Sequence, residues 1–125
     1  MGQVFIMKNK KVVLIVESTK QSLGRAFSML SKPSKKYRGM AVVSFPDFET
    51  LGRVITGARI ELLSVIRSEK PRSIQALARL VERDFKNVYL DVKLLAEFGL
   101  IELKGQGPRK AAAPIAKYSE LVLAA

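Results

Sequence analysis

The chain has 125 residues, with 22 Lys and Arg against 11 Asp and Glu and a formal net charge of +11. This length favours one domain, or a small domain with an appendage, and the basic excess predicts a polyanionic partner. The alternative is a basic protein without such a partner. Because the chain has no Cys and no His, disulfides, Cys/His metal sites and His-based catalytic triads are excluded.

The charge is distributed unevenly. Residues 1–53 carry 10 basic and 3 acidic groups, and residues 54–125 carry 12 and 8, so the N-terminal part is also expected to touch the polyanion or to lie near it. No apolar run approaches the length of a membrane span and the N-terminus lacks a signal-peptide pattern, which predicts a cytoplasmic protein with no membrane partner.

The acidic residues do not indicate an enzyme. The close acid pairs Asp47/Glu49 and Glu82/Asp84 are better explained by helix capping and the helix dipole than by acid–base catalysis. We therefore expect no catalytic activity, and we expect no cofactor and no metal. The alternative is a metal site made of carboxylates alone, but the acidic residues are scattered and mostly adjacent to Lys or Arg.

The N-terminal part is predicted to form a strand, a helix and a second strand. Val12 to Val16 is a continuous β-branched apolar run, typical of a strand that is buried on both faces. Ser18 or Thr19 is expected to cap the helix that follows, and the second strand is expected over Met40 to Phe45. The apolar stripe of that helix would consist of Leu23, Ala26, Phe27 and Leu30.

A short helix is predicted to follow the second strand, with Pro46 in its first turn and Phe48, Leu51 and Val54 facing inward. A sheet of two or three strands leaves open edges and is marginally stable alone. We therefore expect residues 1–53 to be a dimerisation element through which two chains form a homodimer. The alternative is that this sheet packs on its own C-terminal domain.

Residues 54–125 are predicted to begin with two helices. Thr56 can cap a first helix that reaches Glu69, in which Ile60, Leu63 and Ile66 have the spacing of a core-facing stripe. Ser73, just after a proline, can cap a second helix.

A third helix and a hairpin are predicted downstream. Asp84 can cap a helix over Phe85 to Phe98, and the glycine that follows it suits the left-handed position after a helix. Leu100 to Lys104 resembles a strand, Gly105 to Lys110 a basic turn, and Ile115 to Leu123 the returning strand. A second helix, a short turn, a third helix and a basic hairpin form the geometry of a duplex-DNA reader.

The third helix has two different halves. A helical wheel places Phe85, Val88, Tyr89, Val92, Leu95 and Ala96 on one side. The N-terminal half offers Lys86, Asn87, Leu90 and the hydroxyl of Tyr89 to the outside, whereas the C-terminal half is apolar nearly all round. This is the distribution expected of a recognition helix.

Each exposed residue of this helix has a candidate role. Asn87 could pair with adenine, Lys86 could donate to guanine or phosphate, Tyr89 could reach a phosphate and Leu90 could contact a thymine methyl. The alternatives are that Asn87 makes no contact, that Tyr89 belongs to the core and that Leu90 packs within a dimer. The predicted DNA-binding residues are Ser73, Gln75, Arg83, Lys86, Asn87, Tyr89, Leu90, Lys93, Arg109 and Lys110.

Residues outside the third helix enter that set for different reasons. Arg109 and Lys110 lie at a Gly/Pro-rich hairpin tip, where a wing would place them over the minor groove or the phosphates. The alternative is an ordinary charged β-turn. Ser73 and Gln75 open a helix whose terminal amides can bind phosphate, and Arg83 is a candidate for backbone contact.

The runs Ser73 to Arg79 and Asn87 to Ile101, the second ending in Leu-x-x-x-Gly-Leu-Ile, resemble winged-helix transcriptional regulators of the MarR and ArsR type. The run Val43 to Phe48, followed by Arg59 to Leu63, is similar to a small prokaryotic family of DNA-binding regulators first noted in haloarchaea. The resemblance covers roughly residues 40–123, and it implies a winged-helix fold, DNA binding and dimerisation.

Two departures from these families matter. Leu90 stands where MarR-type sequences often have a polar or basic contact residue, and the ligands that ArsR-type metal sensing usually needs are missing. Because some regulators of this size act as antitoxins, the resemblance also leaves that function open.

The sequence as a whole predicts an α+β protein in which residues 1–53 form a strand-helix-strand element and residues 54–125 a winged helix-turn-helix of three helices and a β-hairpin wing. The function that we expect is a sequence-specific regulator of transcription, a dimeric repressor that binds double-stranded DNA. The alternative is an antitoxin that binds a toxin protein through residues 1–53 and autoregulates through its winged helix. A third hypothesis is an RNA-binding or architectural protein.

Overall fold

The computed structural model describes residues 11–18, 20, 21, 23, 24, 40–105 and 112–124. These residues form an α+β structure with two small sheets and four helices of defined bounds. The chain divides into two compact units, one made of residues 1–53 with 118–125 and the other of residues 54–117.

The elements, in chain order, are β1 Lys11–Val16, β2 Met40–Phe45, α1 Phe48–Val54, α2 Gly57–Glu69, α3 Ile74–Leu80, α4 Phe85–Glu97, β3 Ile101–Lys104, β4 Ala113–Ala116 and β5 Glu120–Ala124.

The first unit contains a three-stranded parallel sheet in the order β2–β1–β5. In the register of the sheet, Val13 of β1 lies between Val42 of β2 and Val122 of β5. Val12 to Ile15 are all buried, which confirms the prediction of a strand covered on both faces, as β-branched residues in a central parallel strand should be.

The prediction of a single returning strand over Ile115 to Leu123 is wrong. β4 ends at Ala116 and pairs antiparallel with β3, whereas β5 pairs in parallel with β1. The segment is apolar at both ends, but Lys117, Ser119 and Glu120 interrupt it and a bend at Ser119 separates its two halves. The second half, β5, forms hydrogen bonds with the edge of β1 that β2 leaves free, because the backbone N–H and C=O groups on both edges of a buried strand need partners.

Side-chain caps begin the helices of the first unit. The Ser18 hydroxyl accepts a hydrogen bond from the Gln21 N–H, and the Gln21 side chain accepts one from the Ser18 N–H, which is a reciprocal cap. A carboxylate oxygen of Asp47 accepts from the Thr50 N–H at 2.7 Å, and this backbone hydrogen bond lowers the pKa of Asp47. Pro46 therefore precedes the cap of α1 and is not part of its first turn.

Two predicted inward-facing residues are exposed. Leu51 and Val54 are buried as expected, but Phe48, the first residue of α1, is 62% exposed although it lies three residues before Leu51, so its predicted inward position is wrong. Leu23 is 57% exposed, and the other predicted members of its stripe, Ala26, Phe27 and Leu30, lie outside the described residues.

In the second unit α2 begins where it was predicted, with the Thr56 hydroxyl accepting from the Arg59 N–H. Leu63 and Ile66 are buried, and Leu62, beside Ile66 in the stripe, is fully buried. Ile60 is 49% exposed, so its predicted core position is wrong. A stripe through residues 62, 63 and 66 leaves position 60 on the opposite side of the helix, because residues two apart differ by about 200°.

The predicted caps of α3 and α4 are confirmed. The Ser73 hydroxyl accepts from the Ala76 N–H at the start of α3, and α4 ends in a Schellman motif at Gly99. There the Leu100 N–H donates to the Leu95 carbonyl and the Gly99 N–H donates to the Ala96 carbonyl, both at 3.0 Å. Gly99 has a φ of 75°, which suits a residue without a Cβ.

We predict that Gly99→Ala lowers the free energy of unfolding by about 1–2 kcal/mol, because alanine is strained in the left-handed region. Thermal or urea unfolding measures this loss. Gly57→Ala is the matched control at the first residue of α2, with no atom within 4 Å of the added Cβ and no positive φ. It should leave stability unchanged or raise it slightly. Equal losses in the two variants would contradict the conformational explanation.

Candidate nucleic-acid interface

The start of α4 is fixed by the turn that precedes it. Glu82 adopts a left-handed φ of 53°, and the Arg83 N–H donates back to the Ala78 carbonyl at 3.0 Å, which closes the end of α3. A carboxylate oxygen of Asp84 accepts from the Asn87 N–H at 3.4 Å and caps α4. The turn between the two helices is therefore short and hydrogen-bonded at both ends.

One face of α4 belongs to the core of its unit. Val88, Val92 and Leu95 are fully buried, at the three-to-four-residue spacing of a helical stripe. Packing of this stripe holds the helix in one orientation about its own axis, so that the opposite face points away from the core.

The surface of α4 beside this stripe, from Phe85 round to Leu90, carries aromatic, aliphatic and cationic side chains. Phe85 is 49% exposed, Tyr89 39% and Leu90 56%, and Lys86 and Lys93 are exposed beside them. We call these five residues the α4 outer face. At about 100° per residue they occupy an arc of about 140° of the helix surface.

Three members of the α4 outer face form a row along the helix axis. The rings of Phe85 and Tyr89 are stacked, with centroids 5.9 Å apart and planes at 26°. The Lys93 ammonium nitrogen lies 5.9 Å from the centroid of the Tyr89 ring, within the range of a cation–π interaction. Contacts between residues four apart restrict the rotamers of these side chains, so the row presents a defined shape.

An ion-pair cluster ties α4 to the other two helices. The two carboxylate oxygens of Asp91 accept from Nε of Arg59 at 3.1 Å and from a terminal nitrogen of Arg83 at 2.8 Å. Arg59 lies in α2 and Arg83 in the turn after α3. The Arg59 guanidinium also donates to the carbonyl of Val54, at 3.1 Å. We call this cluster the Asp91 clamp.

The clamp is largely withdrawn from solvent. The Asp91 side chain is 13% exposed and that of Arg59 19%, so water screens their attraction only in part. Nη1 of Arg83 is buried and has no hydrogen-bond partner within the described part of the chain. Arg83, predicted as a DNA-backbone contact, is thus engaged by Asp91.

The other predicted site residues fall into three groups. Lys86, Asn87, Tyr89, Leu90 and Lys93 are exposed on α4. Gln75 is exposed in the first turn of α3, while the hydroxyl of Ser73 is occupied as a cap. Arg109 and Lys110 lie outside the described residues, so their place at the hairpin tip stays a prediction.

Sequence reasoning missed two features of this site. The helical wheel assigns Phe85 to the apolar side of α4, and it continues the spacing of Val88, Val92 and Leu95, yet at the first residue of the helix it is 49% exposed. The pairing of Arg59 with Asp91 spans 32 positions, which no local pattern indicates. The available signal was Asp91 itself, a carboxylate within a largely apolar stretch of helix, which needs a partner.

The described residues also bear on metal binding and on membrane insertion. They contain no group of three or more acidic side chains arranged to hold a metal ion. No described helix combines the length and the apolarity that crossing a membrane requires.

The described structure is that of a small α+β protein whose second unit combines three helices, a hairpin and an exposed aromatic and cationic helix face. The chain belongs to the HVO_A0114 family, whose model matches residues 54–123, more than half of the chain. The matched range continues past the hairpin into β5, so it includes a strand of the parallel sheet. No curated protein and no solved structure matches the chain.

We predict that Asp91→Ala lowers the free energy of unfolding by about 2–4 kcal/mol, because it leaves two guanidinium groups facing each other without their shared carboxylate. Urea unfolding followed by circular dichroism measures the loss. Glu97→Ala, which removes an exposed acid from the same helix, should change stability by less than about 0.5 kcal/mol. Similar values for the two variants would show that the clamp contributes little.

Proposed function

We propose that this protein is a winged helix-turn-helix regulator of transcription that binds double-stranded DNA by inserting α4 into the major groove. The observation that carries the proposal is the α4 outer face, which is solvent-exposed on a helix whose other side is fixed in a core. A helix with cationic and apolar side chains on one free face has the dimensions and the chemistry that the major groove accepts.

The elements around α4 support this proposal. α3 and α4 are joined by a four-residue turn that is capped on both sides, the connection expected of a helix-turn-helix. The β3–β4 hairpin follows α4 directly, as a wing follows a recognition helix. The net charge of +11 favours attraction to a phosphate backbone.

The residues divide into contact and positioning roles under this proposal. Lys86 and Lys93 bind phosphates or base edges, and Asn87 is available to a base or a phosphate at the rim of the α4 outer face. Arg83 holds Asp91 and so positions α4. Gln75 is placed for a backbone contact at the start of α3.

Lys86→Glu should weaken binding to duplex DNA about tenfold at roughly 100 mM salt, because it replaces a cation by an anion at the proposed groove. Glutamate suits the first turn of a helix, so the fold is expected to persist. Lys93→Gln should also weaken binding and should reduce the slope of log affinity against log salt by about 1. Fluorescence anisotropy with a labelled duplex measures both.

Lys20→Glu is the matched control, since it makes the same charge change at an exposed helical residue of the other unit. It should reduce affinity less than Lys86→Glu does. Equal losses in both variants would mean that only overall charge matters. Failure of the wild-type chain to bind duplex DNA at low salt would end the proposal, and stronger binding to duplex RNA would favour an RNA-binding protein.

We also propose that two chains associate through the parallel sheet. No strand of the described residues pairs with the outer edge of β2 or of β5, and β5 exposes Leu121, Val122 and Leu123. An apolar edge of this kind tends to pair with another strand. Antiparallel pairing of β5 with its copy, centred on Val122, joins apolar residues and keeps the two Glu120 side chains apart.

Val122→Lys should shift the chain from dimer to monomer, because it places two cations opposite each other at the proposed centre of the dimer. Light scattering after size-exclusion chromatography measures the mass. Leu23→Lys adds the same charge at another exposed apolar residue of the same unit and should leave the mass unchanged. A wild-type chain that is monomeric at all practical concentrations would contradict this proposal.

A further inference from the structure

The α4 outer face is unusually apolar for a surface that binds the polar major groove of DNA. Three of its five side chains are aliphatic or aromatic. Phe85, Tyr89 and Leu90 are exposed by 49%, 39% and 56%. Large apolar side chains that are exposed together mark a binding surface more often than single ones do. Any ligand of this face must therefore offer apolar groups between its negative charges.

Few hydrogen-bonding groups are available on the same face. Among the described residues it contains two lysines and the Tyr89 hydroxyl, but no arginine and no amide. Asn87 lies beyond Lys86, about 100° further round the helix. Bidentate recognition of adenine uses an amide, which this face lacks, and its two lysines can donate to guanine or to phosphate. Hydrogen bonding from this face therefore gives no direct means to select A·T base pairs.

The apolar group that the major groove offers at a base edge is the C5 methyl of thymine. We propose that the α4 outer face selects duplex DNA by the thymine methyls in its major groove, with Leu90 and the stacked Phe85–Tyr89 pair contacting methyls and Lys86 and Lys93 binding flanking phosphates. The proposal rests on the DNA-binding function proposed above and names the feature of the DNA that the helix reads.

The spacing along α4 indicates more than one methyl. Phe85 and Leu90 are five residues apart, which is an axial rise of about 7.5 Å. Successive base pairs are about 3.4 Å apart along the duplex axis. Because Phe85 and Leu90 also lie about 140° apart around the helix, their side chains are separated by more than this rise, which suits two thymines better than a single one.

The test compares thymine with uracil, which pairs identically and lacks only the methyl. The full chain is titrated with a labelled duplex of about 20 A·T-rich base pairs and with the same duplex containing uracil throughout. The uracil duplex should bind more weakly, by about fourfold for each methyl contacted, as expected for one buried carbon group. Replacing cytosine by 5-methylcytosine in a G·C duplex should in turn raise the affinity.

Variants connect this preference to the helix. Leu90→Ala and Phe85→Ala should each bring the ratio of thymine to uracil affinity closer to one, because each removes an apolar partner of the methyls. Phe85 is 49% exposed and Leu90 is 56% exposed, so the fold should tolerate both substitutions. Ile60→Ala, at a residue 49% exposed in α2, is the matched control and should keep the wild-type ratio.

The outcomes separate this inference from the proposed function. Salt-dependent binding of both duplexes with equal affinity would overturn methyl recognition and leave duplex-DNA binding intact. Absence of binding to any duplex at low salt would overturn both. If Leu90→Ala changed the mass of the protein in solution while the ratio of thymine to uracil affinity stayed at the wild-type value, the α4 outer face would be a contact between protein chains. The inference would then be wrong.

Discussion

The second unit depends on one carboxylate that is shared by two guanidinium groups. Asp91 binds Arg59 of α2 and Arg83 of the turn after α3, so a single side chain links all three helices. Since the cluster is only partly exposed, loss of one member leaves charge without compensation in a poorly solvated place. The clamp and the buried stripe of α4 together decide which side chains face solvent.

Local chemistry made much of this unit predictable. Thr56, Ser73 and Asp84 each cap a helix as their types and positions indicate, and Gly99 ends α4 with the expected positive φ. Caps and turn glycines act within a few residues, so a single sequence contains all the information that they need. The exposure of Lys86, Asn87 and Leu90 followed from the same helical spacing.

What the sequence could not predict depends on contacts between distant residues. Strand propensity identified the apolar segment that includes β5 but not its partner, because pairing with β1 is decided by an edge more than a hundred positions away. The positions of Phe85 and Tyr89 also followed from tertiary packing, since the apolar residues of α4 are too numerous for the wheel to select one face. Arg83 has the sequence context of a free cation, but a terminal nitrogen of its guanidinium lies 2.8 Å from a carboxylate oxygen of Asp91.

Contact between the outward side of α4 and duplex DNA can be detected in the backbone amide chemical shifts recorded during a titration with a short duplex. If α4 enters the major groove, the largest changes in chemical shift fall on residues 85–93 and on the start of α3, with small changes in β1 and β2. Changes concentrated in the parallel sheet, with α4 unaffected, would contradict it.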